Sequence, residues 1–350
     1  MAIRVNSLID KMTAYIPGEQ PQGGGFIKLN TNENPYPPAP EVLDAVRHAT
    51  EDCVFQKYPD AMALGLRTAV AETLGVGVDE VFAGNGSDEV LRLLCQVFLD
   101  ASQGDSIGML DPTYSLYATL AEMFGVPMWT CPTVRPDHAF PGEAFTAPVK
   151  LFFLANPNPP LGTFYDAATL ERLAAADPTR LIVVDEAYVA FAPGSALEVY
   201  RRHENVVITR TFSKSYSLAG LRVGLAIARP SVIAQLVKAK DSYNLNMVSQ
   251  LAAEAAWRAA AHHDARCAEI VASREFLASE MRRRGFEVPA SAGNFVFARG
   301  HNAGDLYQAL KREKILVRWF GAESLRDGMR ITVGTRAEVD ALLAAIDRLV

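Results

Sequence analysis

The sequence lacks the long apolar runs and the excess of positive charge that mark two large classes of protein. No apolar run approaches the roughly 18–20 residues needed to cross a membrane, and the longest candidates, 151–155 and 181–184, have the length of buried strands. The 34 lysines and arginines are outnumbered by 40 aspartates and glutamates, which gives a net charge of -6. Proteins that bind nucleic-acid phosphates usually carry a basic stripe. We therefore expect neither a membrane protein nor a nucleic-acid binder, although local cationic pockets for small anions are compatible with this charge.

Cysteine and histidine are also scarce, and neither is spaced for a metal site. The four cysteines form no CxxC pair, and the six histidines show neither HExxH nor HxH spacing, so we expect no bound metal. The N-terminal segment MAIRVNSLIDKM has no long apolar core ahead of a small-residue cleavage site, so no signal peptide is predicted. We expect a cytoplasmic protein whose cysteines are reduced and lie in the core. They are Cys53, Cys95, Cys131 and Cys267.

What the sequence does contain is enough apolar material for a large core, with 49% hydrophobic and 21% charged residues among 350. This length predicts two domains or one large α/β domain. Short apolar segments alternate with helical patterns, which predicts a mostly parallel sheet covered by helices on both faces. The predicted strands are 106–110, 149–155, 181–184, 206–209 and 223–228, and helices are predicted after residues 41 and 87 and at 167–175.

Three regions follow from changes in composition along the chain. Residues 1–40 are rich in glycine, proline and turns, and they predict an N-terminal arm that wraps another surface. Residues 41–275 are the predicted large domain. A long helical stretch over 249–284 leads into a predicted smaller α/β domain over 276–350, with strands near 294–298 and 329–333.

The segment VVDEAY places an acidic residue where an apolar strand ends. Asp185 follows Val183 and Val184, and open α/β sheets bind their ligands at the carboxyl ends of the strands. Tyr188 lies three residues later. The alternative for Asp185 is a turn or helix cap, and the alternative for Tyr188 is a place in the core.

The segment TRTFSKSYSLAGLRVG places a lysine among small hydroxyl residues, directly after a predicted strand. Thr211, Ser213 and Arg222 are hydrogen-bond donors suited to an anion. A nearby Arg222 charge would also keep the amine of Lys214 partly unprotonated, as a Schiff-base lysine requires. The alternative is a solvated surface lysine.

The segment AGNGSDE opens a predicted helix with a glycine-rich turn. The free backbone N–H groups of Gly86, Ser87 and Asp88 would form a cradle for phosphate. A purely structural turn is the alternative, and because the segment is not a GxGxxG fingerprint it gives little support to a dinucleotide.

Together these three motifs describe a site for pyridoxal phosphate, which needs a phosphate cradle, a Schiff-base lysine, a carboxylate for its ring nitrogen and a phenol for its ring hydroxyl. Their order and spacing resemble the fold-type I aminotransferases, and the closest resemblance is to the histidinol-phosphate aminotransferase family. The resemblance implies an α/β fold with a large domain, whose mostly parallel sheet is covered by helices, and a smaller α/β C-terminal domain. It covers nearly the whole chain and rests on LNTNENPYPP, KYPD, GNGSDE, DPTYSLY, NPNPPLG, VVDEAY, TFSKSYSLAGLRVG, GNF and MRITVGT.

The resemblance also implies a role for each residue of the site. Lys214 would bind the cofactor covalently and move the substrate Cα proton, Asp185 would keep the ring nitrogen protonated, and Tyr188 would donate to the ring oxygen. Tyr114 would stack on the ring. The residues implied to hold the cofactor phosphate are Gly86, Ser87, Asp88, Thr211, Ser213 and Arg222. Tyr58 would reach the phosphate of the neighbouring subunit, which implies a homodimer with shared active sites.

One motif departs from the family pattern. The family usually reads NPNNPTG, whereas this chain reads NPNPPLG over 156–162. Pro159 stands where the family asparagine contacts the cofactor ring oxygen, and proline cannot donate a hydrogen bond. We expect Asn158 to take over the contact through a shifted side chain.

The substrate residues are implied by resemblance as well. Arg330 in MRITVGT matches the arginine that binds the carboxylate of glutamate, and Arg318 in ILVRWFG matches the one for the phosphate of histidinol phosphate. Tyr15 and Asn32 in the arm are further candidates. The implied reaction converts L-histidinol phosphate and 2-oxoglutarate to imidazole acetol phosphate and L-glutamate, in histidine biosynthesis.

Other functions compete with this one. An aromatic amino acid aminotransferase would share the cofactor site but have a more apolar substrate pocket. The structural alternative for Arg318 is a surface ion pair. A threonine-phosphate decarboxylase would release carbon dioxide and need no 2-oxoglutarate. A cofactor-dependent regulator would need a DNA-binding domain, for which we expect no room ahead of the arm. A non-catalytic binding protein would not explain Lys214.

Overall fold

The computed structural model describes residues 3–13, 18–20, 23–52 and 55–350, in which strands and helices alternate. The strands, in chain order, are β1 (Ile27–Lys28), β2 (Val81–Gly84), β3 (Ile107–Asp111), β4 (Met128–Pro132), β5 (Leu151–Ala155), β6 (Leu181–Asp185), β7 (Val206–Thr211), β8 (Gly224–Ile227), β9 (Phe295–Arg299), β10 (Ile315–Leu316), β11 (Arg318–Trp319) and β12 (Gly328–Thr332). The helices are α1 (Ser7–Lys11), α2 (Pro40–Asp52), α3 (Leu64–Leu74), α4 (Gly86–Phe98), α5 (Leu116–Phe124), α6 (Ala167–Ala176), α7 (Leu197–Arg202), α8 (Pro230–Ala239), α9 (Met247–Arg258), α10 (Ala260–Arg283), α11 (Ala303–Arg312) and α12 (Arg336–Leu349).

Seven strands form one sheet in the order β2-β8-β7-β6-β5-β3-β4. The strands β3 to β7 pair with one another in parallel, whereas β8 runs antiparallel to both β7 and β2. The predicted mostly parallel sheet is therefore confirmed. Two strands continue beyond their predicted apolar runs, because Asp185 still pairs with Ala155 and Thr211 still pairs with Gly224.

Both faces of this sheet are covered. Successive side chains of a strand point to opposite faces, and in β5 and β6 every residue is buried. Phe152 and Ile182 belong to one hydrophobic core, while Phe153 and Val183 belong to the other. With both faces packed, the carboxyl ends of the parallel strands are left as the place for a site.

The predicted long helix over 249–284 is two helices in the structure. Ala259, with φ -80° and ψ 45°, interrupts the helix between α9 and α10. The two helices serve different cores: Trp257 of α9 packs in the core of the large sheet, whereas Leu277 and Met281 of α10 pack among residues of the C-terminal part. A change of packing partner requires a change of direction, and periodicity alone does not reveal it.

The C-terminal part has its own antiparallel sheet, in the order β11-β12-β9. The strand β1 from the start of the chain pairs in parallel with β10, so the arm is tied to this part. The division into an arm over 1–40, a large domain over 41–275 and a small domain over 276–350 stays a prediction, and α10 spans the second boundary.

Three of the cysteines, Cys95, Cys131 and Cys267, are buried and free, as predicted, while Cys53 lies outside the described residues. None of the helices in the described ranges is long and apolar enough to cross a membrane. Within those same ranges, no group of three or more His, Cys, Asp or Glu residues could hold a metal ion.

Candidate active site

A cavity of about 120 Å³ lies beyond the carboxyl ends of β5, β6 and β7. Nine residues of the predicted cofactor site line it, drawn from segments more than 100 residues apart. They are Ser87, Asp88, Tyr114, Asp185, Tyr188, Thr211, Ser213, Lys214 and Arg222. The structure thus brings most of the predicted residues to one place.

Asp185, the last residue of β6, is a buried carboxylate held by hydrogen bonds. Its two oxygens accept from the hydroxyl of Tyr117 at 2.8 Å and from that of Thr209 at 3.1 Å. Burial raises the pKa of Asp185 to about 6, against the opposing effect of these donors. The carboxyl group can therefore be ionised at neutral pH although it is only 3% exposed.

The amine of Lys214 faces the same cavity and donates to the backbone carbonyl of Thr31 at 3.0 Å. Burial lowers the pKa of Lys214 to about 8, and the positive charge of Arg330 adds to this effect. Arg222, which the sequence suggested as the cause, contributes less than either. An amine with this pKa exists partly in its uncharged, nucleophilic form near neutral pH.

At the other side of the cavity, α4 begins at Gly86 and presents its first backbone N–H groups beside Arg222. Arg222 donates to the hydroxyl of Ser213 at 3.1 Å and pairs with Asp88 at 3.2 Å. Two glycines make this approach possible. A Cβ on Gly86 would lie 2.7 Å from the Arg222 guanidinium, and one on Gly224 would lie 2.2 Å from the backbone nitrogen of Ser87. The helix N-terminus and the guanidinium together suit an anion.

Asn32 connects three parts of the molecule at the edge of the cavity. Its side-chain amide donates to the hydroxyl of Tyr188 at 2.9 Å, and its backbone N–H donates to the hydroxyl of Thr332 at 2.9 Å. The side chain of Asn294 donates to the carbonyl of Asn32 at 3.0 Å. Thr332 and Asn294 were not predicted, although the motifs GNF and MRITVGT contain them.

The prediction for Asn158 is corrected by the structure. Its side chain is fully buried away from the cavity, where it accepts from the Thr113 hydroxyl at 2.6 Å and donates to the carbonyl of Pro112 at 2.8 Å. Both ends of the amide are thus used to hold the loop. Pro159 lines the cavity in its place and offers no donor there.

One aromatic residue of the prediction, Tyr58, lies elsewhere. Tyr58 is outside the cavity and 77% exposed, and its ring stacks on that of Tyr243 with the centroids 4.3 Å apart. Tyr15 lies outside the described residues. Tyr114 does line the cavity, and its hydroxyl donates to Asp88 at 3.2 Å.

A second cavity, of about 540 Å³, adjoins the first and shares Tyr114, Tyr188 and Lys214 with it. Arg318 and Arg330 both line it, and they are directly opposite each other in the antiparallel pair of β11 and β12. Like charges in facing positions of a strand pair are unfavourable. An anion bound between them would remove this repulsion, so the second cavity suits a negatively charged substrate.

Three further residues of the site escaped the sequence analysis. Tyr117 and Thr209 bind Asp185, and Phe320 lies in the second cavity with its ring centroid 5.6 Å from the guanidinium of Arg318. Tyr117 could have been found, because it stands in the motif DPTYSLY, three residues after Tyr114. Thr209 and Phe320 carry no comparable signal.

The chain is similar to known enzymes over nearly its whole length. It is 45% identical to the histidinol-phosphate aminotransferase of Geobacter sulfurreducens, with 98% of each chain covered. It is 44% identical to the histidinol-phosphate aminotransferase of a Synechocystis species, with 96% of this chain and 95% of that one covered. The model of the family described as aminotransferase class I and II matches residues 25–346.

Solved structures have the same fold. The histidinol-phosphate aminotransferase of Sinorhizobium meliloti, solved in complex with pyridoxal-5'-phosphate, superposes with a TM-score of 0.88 at 27% identity, covering 99% of this chain and 98% of that one. The residues around the smaller cavity fit this cofactor. Glycines leave room beside the α4 N-terminus for a phosphate, Asp185 offers an anion, and Lys214 offers an amine of lowered pKa.

The enzyme therefore uses pyridoxal 5'-phosphate as its cofactor, and the fold is that of the fold-type I aminotransferases. Geometry, family model and full-length relatives agree on the class of protein. The chain belongs to the class I and II aminotransferase family.

Proposed function

We propose that the enzyme transfers the amino group of L-histidinol phosphate to 2-oxoglutarate, giving imidazole acetol phosphate and L-glutamate, as a step of histidine biosynthesis. The full-length similarity to histidinol-phosphate aminotransferases supports this choice of substrates. The observation that carries it in the structure is the facing pair of Arg318 and Arg330, since one substrate is a phosphate dianion and the other a dicarboxylate.

Pyridoxal phosphate, when bound, supplies a ring that withdraws electrons from the substrate Cα. We assign to Lys214 the removal and return of the Cα proton, because its lowered pKa of about 8 lets the amine hold or release a proton near neutral pH. Asp185 would hold the ring nitrogen in its protonated form. Tyr188, fixed by Asn32, would contact the ring oxygen without help from an asparagine at position 159.

We assign binding of the cofactor phosphate to the N-terminus of α4. Backbone N–H groups at Gly86, Ser87 and Asp88 point outward from a helix start, where the helix dipole favours negative charge. Arg222 would add a charged donor. Thr211 and Ser213 line the same cavity and would add hydroxyl groups, while Tyr114 would cover the ring.

At the substrate end, Arg330 would bind the α-carboxylate of glutamate, and Arg318 would bind the group at the far end. That far group is a phosphate in histidinol phosphate and a second carboxylate in glutamate. Guanidinium groups match both, because their parallel N–H donors fit two oxygens at once. Asn32 lines this cavity as well, so its amide would lie close to the bound substrate.

The test is a set of single-turnover half-reactions of purified Arg318→Ala with histidinol phosphate and with phenylalanine. A buried hydrogen bond to a charged group contributes about 1.5–3 kcal/mol, so binding of histidinol phosphate should weaken about 10–150-fold. Phenylalanine, which lacks the phosphate, should react almost as with the parent enzyme. Arg283→Ala is the control, because the Arg283 side chain is 65% exposed and lies on α10.

Equal losses for both donors in Arg318→Ala would contradict the phosphate-ester assignment, and an aromatic amino acid would then be the better donor. Release of carbon dioxide from threonine phosphate, with no need for 2-oxoglutarate, would indicate the decarboxylase instead.

We further propose a homodimer with shared active sites in the cytoplasm. Tyr58 is 77% exposed and stacks on Tyr243, which is itself 45% exposed, and an exposed aromatic pair of this kind suits a second copy of the chain. A cytoplasmic location follows from the proposed substrates, which are anions that do not cross membranes unaided. Sedimentation of the enzyme at assay concentration tests the dimer, and a fully active monomer would contradict it.

A further inference from the structure

The carboxylate of Asp185 is the most enclosed charge in the cofactor cavity, and it depends on its neighbours. Burial alone pushes its pKa upward, toward the neutral acid. Three donors oppose this effect: the hydroxyl of Tyr117 at 2.8 Å, the hydroxyl of Thr209 at 3.1 Å and the backbone N–H of Ala187. Of the two hydroxyl donors, Tyr117 makes the shorter bond, and it donates to the oxygen Oδ2.

Tyr117 is fixed in its place by packing. It lies in the first turn of α5, is fully buried, and its ring stacks on Phe153 at a centroid distance of 4.8 Å. Its edge also meets the ring of Tyr114 at 5.6 Å, and Tyr114 lines the cofactor cavity. A ring held on two sides leaves its hydroxyl group little freedom, so the direction of the hydrogen bond to Asp185 is set by the fold.

We propose that Tyr117 is a positioning residue, whose hydroxyl holds Asp185 ionised and directed at the ring nitrogen of the cofactor. A neutral carboxyl group could not hold that nitrogen protonated, and a carboxylate free to rotate would do so poorly. The inference rests on the proposed role of Asp185, but it does not depend on which amino donor the enzyme accepts.

Tyr117→Phe isolates the hydroxyl, because the phenylalanine ring keeps the contacts with Phe153 and Tyr114. The matched control is Tyr200→Phe. Tyr200 is also buried and also donates to a carboxylate, that of Glu80 at 2.5 Å, but it does not line the cofactor cavity. A general effect of losing a buried tyrosine hydroxyl should therefore appear in both variants.

The readout is cofactor affinity rather than activity. Cofactor-free protein is titrated with pyridoxal phosphate and with its 1-deaza analogue, in which a C–H group replaces the ring nitrogen, and binding is followed by protein fluorescence. The parent enzyme and Tyr200→Phe should prefer pyridoxal phosphate by about 10-fold or more, the size of one hydrogen bond to a charged group. In Tyr117→Phe this preference should fall about 10-fold, and kcat should fall while KM for the donors stays near its parent value.

The outcomes separate the two assignments. If the parent enzyme itself binds both compounds equally, the role of Asp185 is wrong. A parent preference that persists unchanged in folded Tyr117→Phe would overturn the role of Tyr117 alone. If Tyr117→Phe does not fold, the double variant with Asp185→Asn decides. Asparagine is uncharged, so the double variant has no buried carboxylate for the Tyr117 hydroxyl to stabilise. Recovery of folding in the double variant supports the proposal, and failure of both overturns it.

Discussion

The two ends of the cleft are built in different ways. The cofactor end measures about 120 Å³, lies at the strand ends of one sheet, and its side chains fix one another, as Tyr117 and Thr209 fix Asp185. The substrate end measures about 540 Å³, borders the arm and the C-terminal strands, and carries the positive side chains of Arg318 and Arg330. A single cofactor can bind in a small and rigid site. Substrates of different shapes that react in turn need a larger site with positive side chains.

The largest expected effect is the loss of the amine at the junction of the two ends. Lys214→Ala should lower turnover by about four orders of magnitude or more, because no other group in the cavity can both bind the cofactor covalently and move the Cα proton. Borohydride reduction of the parent enzyme should attach the cofactor to Lys214. Lys238→Ala, on the exposed face of α8, is the control, and an adduct on any other lysine would contradict the assignment.

Asp185→Asn tests whether the ionised carboxylate lowers the stability of the folded protein while raising turnover. Turnover should fall about 100-fold or more, since an amide cannot supply the negative charge that stabilises the protonated nitrogen. The folded protein holds the Asp185 proton more tightly than the unfolded chain, with a pKa of about 6 against 3.8. Ionisation therefore costs stability, and the cost grows from pH 4 to pH 6 and is complete above that.

The cofactor-free variant should consequently be more stable than the parent by about 2–3 kcal/mol at pH 8, with a smaller gain at pH 5. Urea unfolding at the two pH values measures this. A variant that is less stable than the parent at pH 8 would show that the carboxylate does not carry the burial cost assigned to it.

Arg330→Ala tests whether Arg330 binds the α-carboxylate of glutamate at the substrate end. The half-reaction with glutamate or 2-oxoglutarate should lose about 10–150-fold in binding, because each carries an α-carboxylate. Histidinol phosphate has no carboxylate and should react much as before. The rate of the Lys214 step in this variant also needs measurement, since the Arg330 charge helps lower the pKa of that amine. A uniform loss for every substrate would assign Arg330 to the amine rather than to the carboxylate.

The smallest effect is expected at the exposed aromatic pair of Tyr58 and Tyr243. Tyr58→Phe removes one hydroxyl and keeps the ring that stacks on Tyr243. Cofactor affinity should fall about 3–10-fold, the size of one ordinary hydrogen bond. Mixed dimers of Tyr58→Phe chains and Lys214→Ala chains should reveal which chain supplies the hydroxyl to the active site that keeps Lys214. Unchanged affinity in the variant would leave Tyr58 only a packing role.

The rigid end was predictable from sequence to a large extent, and the reason is local. Asp185 is the last residue of a strand, Lys214 follows a strand and Gly86 begins a helix, so short motifs are enough to locate them. Asn158 failed because its amide is used by Thr113 and Pro112, and no short motif announces such a contact.

The substrate end and the helix boundaries were harder to predict, because they depend on contacts that short motifs do not contain. The facing of Arg318 and Arg330 depends on strand register, and the break at Ala259 depends on which core each helix packs against. Both are set by contacts between distant parts of the chain. The resemblance to known enzymes, rather than periodicity, is what pointed to the two arginines.

The link between Asn32 and Thr332 joins residues 300 positions apart. During synthesis the arm leaves the ribosome long before the strand β12 that completes its hydrogen bonds. The strands of the large sheet and the cradle at α4 are complete at β8, and the helices α8 and α9 that pack against this sheet follow directly. A nascent chain can therefore build the cofactor end first, and N-terminal units of a chain generally fold first. The strands β11 and β12, which carry the arginines of the substrate cavity, form last. A chain truncated before β11 would thus have a cofactor site but neither of the two arginines proposed to distinguish one amino donor from another.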